Sequence, residues 1–347
     1  MREFMNVVFL DCTLRDGGCV NDFAFGLTAM ESIKQSLETA GIRYIELGYL
    51  DANKGSDMDS TMFISEESIE RQLLKTRVKD AVYLAMIDCG KFSIEALPER
   101  SASTLDGIRL CFHKRQMDEA FKDARKILNK GYRLFIQPMV NTRYSDEDII
   151  NLAQRVNSEL PEAEALYIVD SFGAMSDQEF INRAQLMSTT LNPDIKIGIH
   201  SHNNQNQSFD VITSIITSDI NRDIIIDATI AGIGKGAGNP NTMEVLNFYN
   251  KVYEQRYNLD CIKDVDAQYI QPIHSMYPWG FSFDFYLCAK YRITPSYLKF
   301  YKQHQACPEG DVERFLSTIP EDKKDAFNRD FAVAHYENFL KTACQEE

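Results

Sequence analysis

Eight short apolar blocks recur between residues 7 and 229, and their spacing limits what this chain can fold into more than any other feature. They are Val7–Leu10, Tyr44–Leu47, Val82–Ile87, Gly107–Phe112, Arg133–Gln137, Ala165–Val169, Ile195–Ile199 and Ile224–Thr229. They recur at intervals of roughly 25 to 40 residues, the length of a β-α unit. Blocks without a polar alternation suit strands buried on both faces, as in parallel sheets. Helical signals fall between them. Thr28–Glu31 has capping-box spacing before Met30, Ile33 and Leu37, and Gly41 is a natural stop. Further helices are expected over 65–75 and 117–129. Ser145 and Ser176 open two more with capping boxes, and Asn241–Glu244 opens the last.

Eight such units predict an α/β fold, a closed (β/α)8 TIM barrel over residues 1–254. An open doubly wound sheet is the competitor, but no Gly-x-Gly-x-x-Gly follows the first strand, so a dinucleotide fold has no support. Polar residues close strands 1, 2, 3, 4, 6, 7 and 8; in a barrel those ends ring one mouth. Beyond 255 the strand signals stop and aromatics crowd in, from Tyr269 to Tyr286. Segments 296–303, 312–318 and 325–341 read as helices, so 255–347 is expected to be a small helical domain, used as a lid over the mouth or as a subunit contact in a homo-oligomer.

The charge balance bears on partners. Lys and Arg number 37 and Asp and Glu 51, giving 37 − 51 = −14 over 347 residues. Nucleic acid and anionic membrane surfaces are unsuited to such a chain. No apolar run reaches the length of a membrane span, and Val7–Leu10 after Met1–Asn6 is too short for a signal-peptide core. The eight cysteines, at 12, 19, 89, 111, 261, 288, 307 and 344, form no Cys-x-x-Cys pair. A reducing, cytoplasmic setting is expected.

Three stretches carry chemistry. Leu10–Gly18 delivers Arg15 and Asp16 at the end of strand 1. His200 and His202 stand two apart on strand 7, so both imidazoles point to one face. Gly232–Asn239 is a glycine-rich loop after strand 8. Singly, each has an ordinary reading: a turn-capping carboxylate, two hydrogen-bonded strand-end histidines, a plain loop. In a closed barrel, however, strands 7, 8 and 1 are consecutive. One arc of the mouth then supplies two imidazoles, the Asn239 amide oxygen and the Asp16 carboxylate, a mixed N/O set for a divalent cation with open positions.

Asp11-x-Thr13-Leu14-Arg15-Asp16-Gly17, His200-x-His202-Asn203 and Gly236-Ala237-Gly238-Asn239 resemble the signatures of the hydroxymethylglutaryl-CoA lyase-like (DRE-TIM) metallolyases, and look most like the 4-hydroxy-2-oxovalerate aldolase branch. The resemblance implies a metal held by Asp16, His200 and His202, with Asn239 as a further ligand. It implies that Arg15 holds the keto or enolate oxygen of the substrate, that Ser171 contacts a substrate carboxylate, and that Glu46 lies near the site. For Glu46 an ion pair with Arg43 or another base is an equal reading. The implied activity is aldolase-type cleavage or formation of a 2-oxo acid, with a 2-oxo acid and an aldehyde as small-molecule partners; some relatives pass a volatile product to a dehydrogenase partner. Acetyl-CoA-dependent Claisen condensation and a non-catalytic binding barrel are the alternatives.

In the aldolases a histidine follows the metal aspartate by three residues, and here that position is Cys19. The catalytic base is therefore expected among His113, Tyr49, Asp88 and Cys19, with His113 slightly favoured. Because the ligand set contains no thiolate, Mn²⁺ is the first expectation and Mg²⁺ the second, while the imidazoles keep Zn²⁺ and Co²⁺ open.

Overall fold

Eight parallel strands close on themselves: β1 (Val7–Asp11), β2 (Tyr44–Leu50), β3 (Val82–Asp88), β4 (Gly107–Phe112), β5 (Arg133–Pro138), β6 (Ala165–Asp170), β7 (Lys196–Ser201) and β8 (Ile224–Ala228). Each pairs with its neighbours in sequence, and β1 pairs with both β8 and β2, so no barrel edge is left open. The two-residue strand Met62–Phe63 adds to β2 alone. This computed structural model describes residues 7–56, 58–253, 256–304 and 311–343. Met1–Asn6, the expected domain boundary at 254/255, Cys307 and Cys344 lie outside them.

The alternation along each strand divides the core in two. Inward positions such as Val8, Leu10, Tyr44, Leu84, Phe135, Tyr167 and Ile225 fill the barrel. Outward positions pack under the helices; Phe9 meets Tyr249 and Tyr257 edge-to-face at 5.4 Å each. Each fully buried Leu, Ile or Phe contributes about 1.5–3 kcal/mol. The surrounding helices are α1 (Leu27–Ala40), α2 (Glu66–Leu73), α3 (Met117–Asn129), α4 (Asp146–Glu159), α5 (Asp177–Thr190), α6 (Ser208–Thr217) and α7 (Thr242–Val252). Between β3 and β4 the turn Ile94–Ala96 takes the helix's place.

The capping boxes of Ser145 with Asp148 and Ser176 with Glu179 form as expected. The expected one at Thr28 does not. α1 starts after Gly26, and its first N–H, that of Leu27, donates to Asp59 Oδ1 at 2.9 Å, a partner 32 residues away. A distant carboxylate has taken over the role that local spacing assigned to Thr28.

The C-terminal helices divide later than the sequence texture does. Asp260–Val265 continues through a π-turn, Asp266–Ile270, into Gln271–Met276. Its Ile262, Val265, Ile270 and Ile273 join the barrel core. A separate core begins at Leu287 and includes Tyr297, Tyr301, Phe315 and Leu316. It is built from Phe283–Lys290, Pro295–Gln303, Val312–Ser317 and Arg329–Ala343. Two anchors lie at the seam between this unit and the mouth. Trp279, in the segment that leads into the unit, packs against the barrel core and its Nε1 donates to Ala231 O at 2.9 Å; Arg143, after β5, pairs with Asp325 at 3.0 Å and with Glu321.

Among the described residues no helix is long and apolar enough to cross a membrane. Cys12, Cys19, Cys89, Cys111, Cys261 and Cys288 are free thiols.

Candidate active site

The barrel mouth and the helical unit enclose a cavity of about 970 Å³. Arg15, Asp16, Cys19, Tyr49, Asp88, Ser171, His200 and His202 reach it, as do Trp279, just before the helical unit, and Phe285 from that unit. His113 is not on its wall. β4 ends at Phe112, and His113 enters the turn Lys114–Gln116, where it and Gln116 cap one another. Strand parity alone, continuing inward from Arg109 and Cys111, would have aimed it into the mouth.

Local hydrogen bonds fix the end of β1. Asp11 accepts from the Thr13 amide at 2.9 Å and from the Thr242 hydroxyl at 2.7 Å, while the Thr13 hydroxyl accepts from the Ile230 amide at 2.8 Å. These tie the Arg15–Asp16 turn to the loop after β8. Burial pushes the Asp11 carboxyl up to about 6. Glycine is required at 234, where a Cβ would lie 2.1 Å from Asn239 Nδ2 and 2.5 Å from Asp16 Oδ2.

Asp16, His200 and His202 each offer a ligand atom within 4.8 Å of the others. The imidazoles stand edge-to-face, 5.1 Å apart. His202 Nδ1 donates to Gly238 O at 3.2 Å, and His200 Nδ1 bonds to Asp227 Oδ2 at 2.8 Å. Each histidine is oriented through Nδ1, which leaves Nε2 as its ligand atom, the arrangement by which outer partners aim metal ligands. Burial pushes His202 down to about 4, so its ring is neutral with a free lone pair at neutral pH. Asp16 is held well below the ordinary carboxylate range: burial opposes its charge, but Arg15, the two imidazoles and Asn239 outweigh it.

Sequence reasoning missed two of the groups behind these side chains, Arg109 and Asp227. Arg15 donates Nη1 to Asp16 at 2.6 Å and Nε to Glu46 Oε2 at 2.8 Å. Arg109, wholly buried, donates to the same Glu46 oxygen at 2.5 Å and to Asp227 Oδ2. Its guanidinium lies 4.9 Å from the centre of the Tyr167 ring. Gly198 makes room for that ring, since a Cβ there would fall 2.3 Å from it. The path Asp16–Arg15–Glu46–Arg109–Asp227 alternates charge, and Asp227 leads it back to the Asp16–His200–His202 group through its bond to His200. Glu46 is thus paired with Arg15 and Arg109 rather than Arg43. The signal was present in the sequence: Arg109 and Asp227 interrupt apolar strand blocks, and a charge in such a place needs a partner.

Three observations test the fit of a divalent cation. Three ligand atoms converge. Asn239 Nδ2 donates to Asp16 Oδ2 at 2.5 Å, while its buried Oδ1 has no protein partner. Three buried carboxylates, Asp16, Glu46 and Asp227, face two guanidinium groups, leaving one negative charge in excess. The residues fit such an ion.

Ser171 Oγ accepts from the Val140 amide at 3.0 Å, which leaves its O–H free to donate into the cavity. Val140 itself is held at φ 60°, a strained setting for a β-branched residue. Burial, and then Asp16, push the Cys19 thiol up to about 12. Burial also raises Tyr49 well above its ordinary value and raises Asp88. Burial and Arg115 lower His113.

The sequence model of the HMGL-like family matches residues 6–268. A 4-hydroxy-2-oxovalerate aldolase of Bacillus cereus is 25% identical over 261 residues, 75% of this chain and 74% of its own length. One from Pseudoalteromonas translucida is 26% identical with the same coverage. The crystallised N-terminal domain of a Bacteroides vulgatus protein matches with a TM-score of 0.73 at 23% identity, over 86% of this chain and 97% of that domain.

Proposed function

The chain belongs to the HMGL-like family, and from that premise we propose that it is a divalent-metal-dependent aldolase-type lyase that forms or cleaves a 2-oxo acid through a pyruvate-like enolate. One observation carries the reading: Arg15 is locked between Asp16 and Glu46, directly beside the Asp16–His200–His202 group and open to the cavity. Asp16, His200 and His202, with Asn239 Oδ1 beside them, would hold the cation, which would supply Lewis-acid polarisation of the keto oxygen. Mn²⁺ suits the one carboxylate, one amide oxygen and two imidazoles, and Mg²⁺ is second.

The bonds of Arg15 to Asp16 and Glu46 use Nη1 and Nε. Nη2 is left for the oxygen on which negative charge develops, a directional charge in a water-poor site. The Ser171 hydroxyl is placed to donate to the substrate carboxylate. The proton of the cleaving hydroxyl needs a base. Cys19 and Tyr49 hold their protons too tightly, and His113 is off the cavity wall. We assign the role to Asp88, a carboxylate on the wall whose proton affinity is raised by burial toward the working range of a base. In cleavage, Asp88 takes the hydroxyl proton, the carbon–carbon bond breaks, the aldehyde leaves, and the electron pair remains as the enolate of the 2-oxo acid. Protonation of that carbon completes the product.

Loss of the methyl protons of pyruvate in deuterated water, followed by proton NMR, tests the reading. Exchange that requires Mn²⁺ or Mg²⁺ supports it. No exchange with Mn²⁺, Mg²⁺, Zn²⁺ or Co²⁺, for pyruvate and for other 2-oxo acids, overturns it.

A further inference from the structure

The cavity is far larger than a three-carbon acid and a small aldehyde require. At about 970 Å³ it stands at the upper end of the range that encloses drug-sized ligands. Its charges are unevenly satisfied. Lys302 pairs with Asp284 at 2.8 Å, and Lys299 lies 3.9 Å from Asp22. Lys54, Lys91 and Lys235 also line the cavity, and among the described residues none of the three makes an ion pair. They come from the loops after β2, β3 and β8, all on the arc of the mouth that also carries Arg15 and Asp16, in the turn after β1.

Two carboxylates oppose them. Asp51 Oδ1 accepts from the amides of Asn53 and Lys54 at 2.9 and 3.1 Å, which holds the Lys54 loop in place. Asp88 lies within electrostatic reach of both Lys91 and Lys235. Three ammonium groups against two carboxylates leave an unpaired positive charge, in a chain whose net charge is −14. Resting on the aldolase reading, we infer that the acceptor aldehyde carries an oxyanion, a carboxylate or a phosphate, at the end remote from its carbonyl, and that Lys54, Lys91 and Lys235 receive it.

The placement follows from the assigned base. Lys91 follows Asp88 by three residues and Lys54 stands on the loop after the neighbouring strand β2, and both line the same cavity as the assigned base, within which the aldehyde's far end would be received. Phe23, Met62 and Trp279 supply apolar wall to the same cavity. A charge-assisted contact of this kind changes selectivity between matched acceptors by about tenfold or more.

The test uses the full chain with Mn²⁺, pyruvate and three acceptors: propanal, succinic semialdehyde and glyceraldehyde 3-phosphate. The expected result is a kcat/KM at least about tenfold higher for one or both anionic acceptors than for propanal. Which of the two leads distinguishes a carboxylate from a phosphate. In Lys54→Ala/Lys91→Ala that ratio collapses toward one, with pyruvate proton exchange reporting that the variant is folded. Wild-type protein that exchanges pyruvate protons yet favours propanal overturns the inference alone, as does a double variant whose ratio is unchanged. Wild-type protein that exchanges no protons overturns the aldolase reading and this inference with it.

Discussion

Arg109 and Asp227 meet inside the barrel, guanidinium to carboxylate, and the oxygen they share also bonds to His200 Nδ1 at 2.8 Å. The pair therefore orients, from beneath, a histidine of the proposed metal group. Burial opposes the charge of Asp227, yet Arg109 and His200 keep it below the ordinary carboxylate range. Asp227→Asn should weaken Mn²⁺ binding by about 10- to 100-fold, the usual cost of losing an outer partner. Titration calorimetry reads this, and unchanged affinity would contradict the role. Arg109→Met leaves Glu46 and Asp227 buried without their shared cation and should cost about 3–5 kcal/mol in urea unfolding. A cost below about 1 kcal/mol would mean the ring of charges relaxes easily.

Gly234→Ala places a methyl group against both Asn239 and Asp16. The loop after β8 must shift, and the Asn239–Asp16 contact opens. Metal affinity should fall by tenfold or more while far-ultraviolet circular dichroism stays unchanged, since a shift of one loop leaves the barrel intact. Full affinity in this variant would show that the close approach at Gly234 is not needed.

The chain contains one tryptophan, Trp279, which lines the cavity and donates to Ala231 O on the loop leading to Asn239. Its fluorescence is therefore an unmixed report on the mouth. Adding Mn²⁺ and pyruvate should shift or quench its emission saturably. Emission that ignores both would place ligand binding elsewhere.

Asp170, at the end of β6, is buried and accepts from the Met175 amide at 2.8 Å and the Phe172 amide at 3.3 Å. Burial nonetheless raises it from 3.8 to about 6. Between those values the folded protein binds more protons than the unfolded chain, so this residue makes stability fall as pH rises. Asp170→Asn should remove that component, so that stability between pH 4 and 6 falls less, or rises more, with pH than in wild type in denaturant titrations at several pH values. An identical slope in the two proteins would contradict the assignment.

The barrel and one arc of its mouth were legible because both rest on local signals. A strand buried on both faces shows as an apolar block, and the residue at its end shows as a polar break. Ser145 and Ser176 cap their helices through contacts three residues long, which spacing reveals. What sequence spacing did not reveal had two causes. A distant partner, Asp59, displaced Thr28 at the start of α1, and a local turn after Phe112, which strand parity does not foresee, carried His113 off the cavity wall. Arg109 and Asp227 stood in plain view within strand blocks; two buried charges show that each needs a partner but not which one.

The most direct test of the account is the Mn²⁺ binding isotherm of three proteins: wild type, Asp16→Asn and Arg15→Ala. Asp16 is the one charged ligand in the proposed set, so its replacement should weaken binding by more than about a hundredfold, beyond the cost of losing an outer partner. Arg15→Ala removes a neighbouring positive charge and no ligand, so it should bind Mn²⁺ at least as tightly as wild type while losing pyruvate proton exchange. Wild-type affinity in Asp16→Asn, or lost metal binding in Arg15→Ala, would contradict the assignment of Asp16 to the metal and Arg15 to the substrate oxygen.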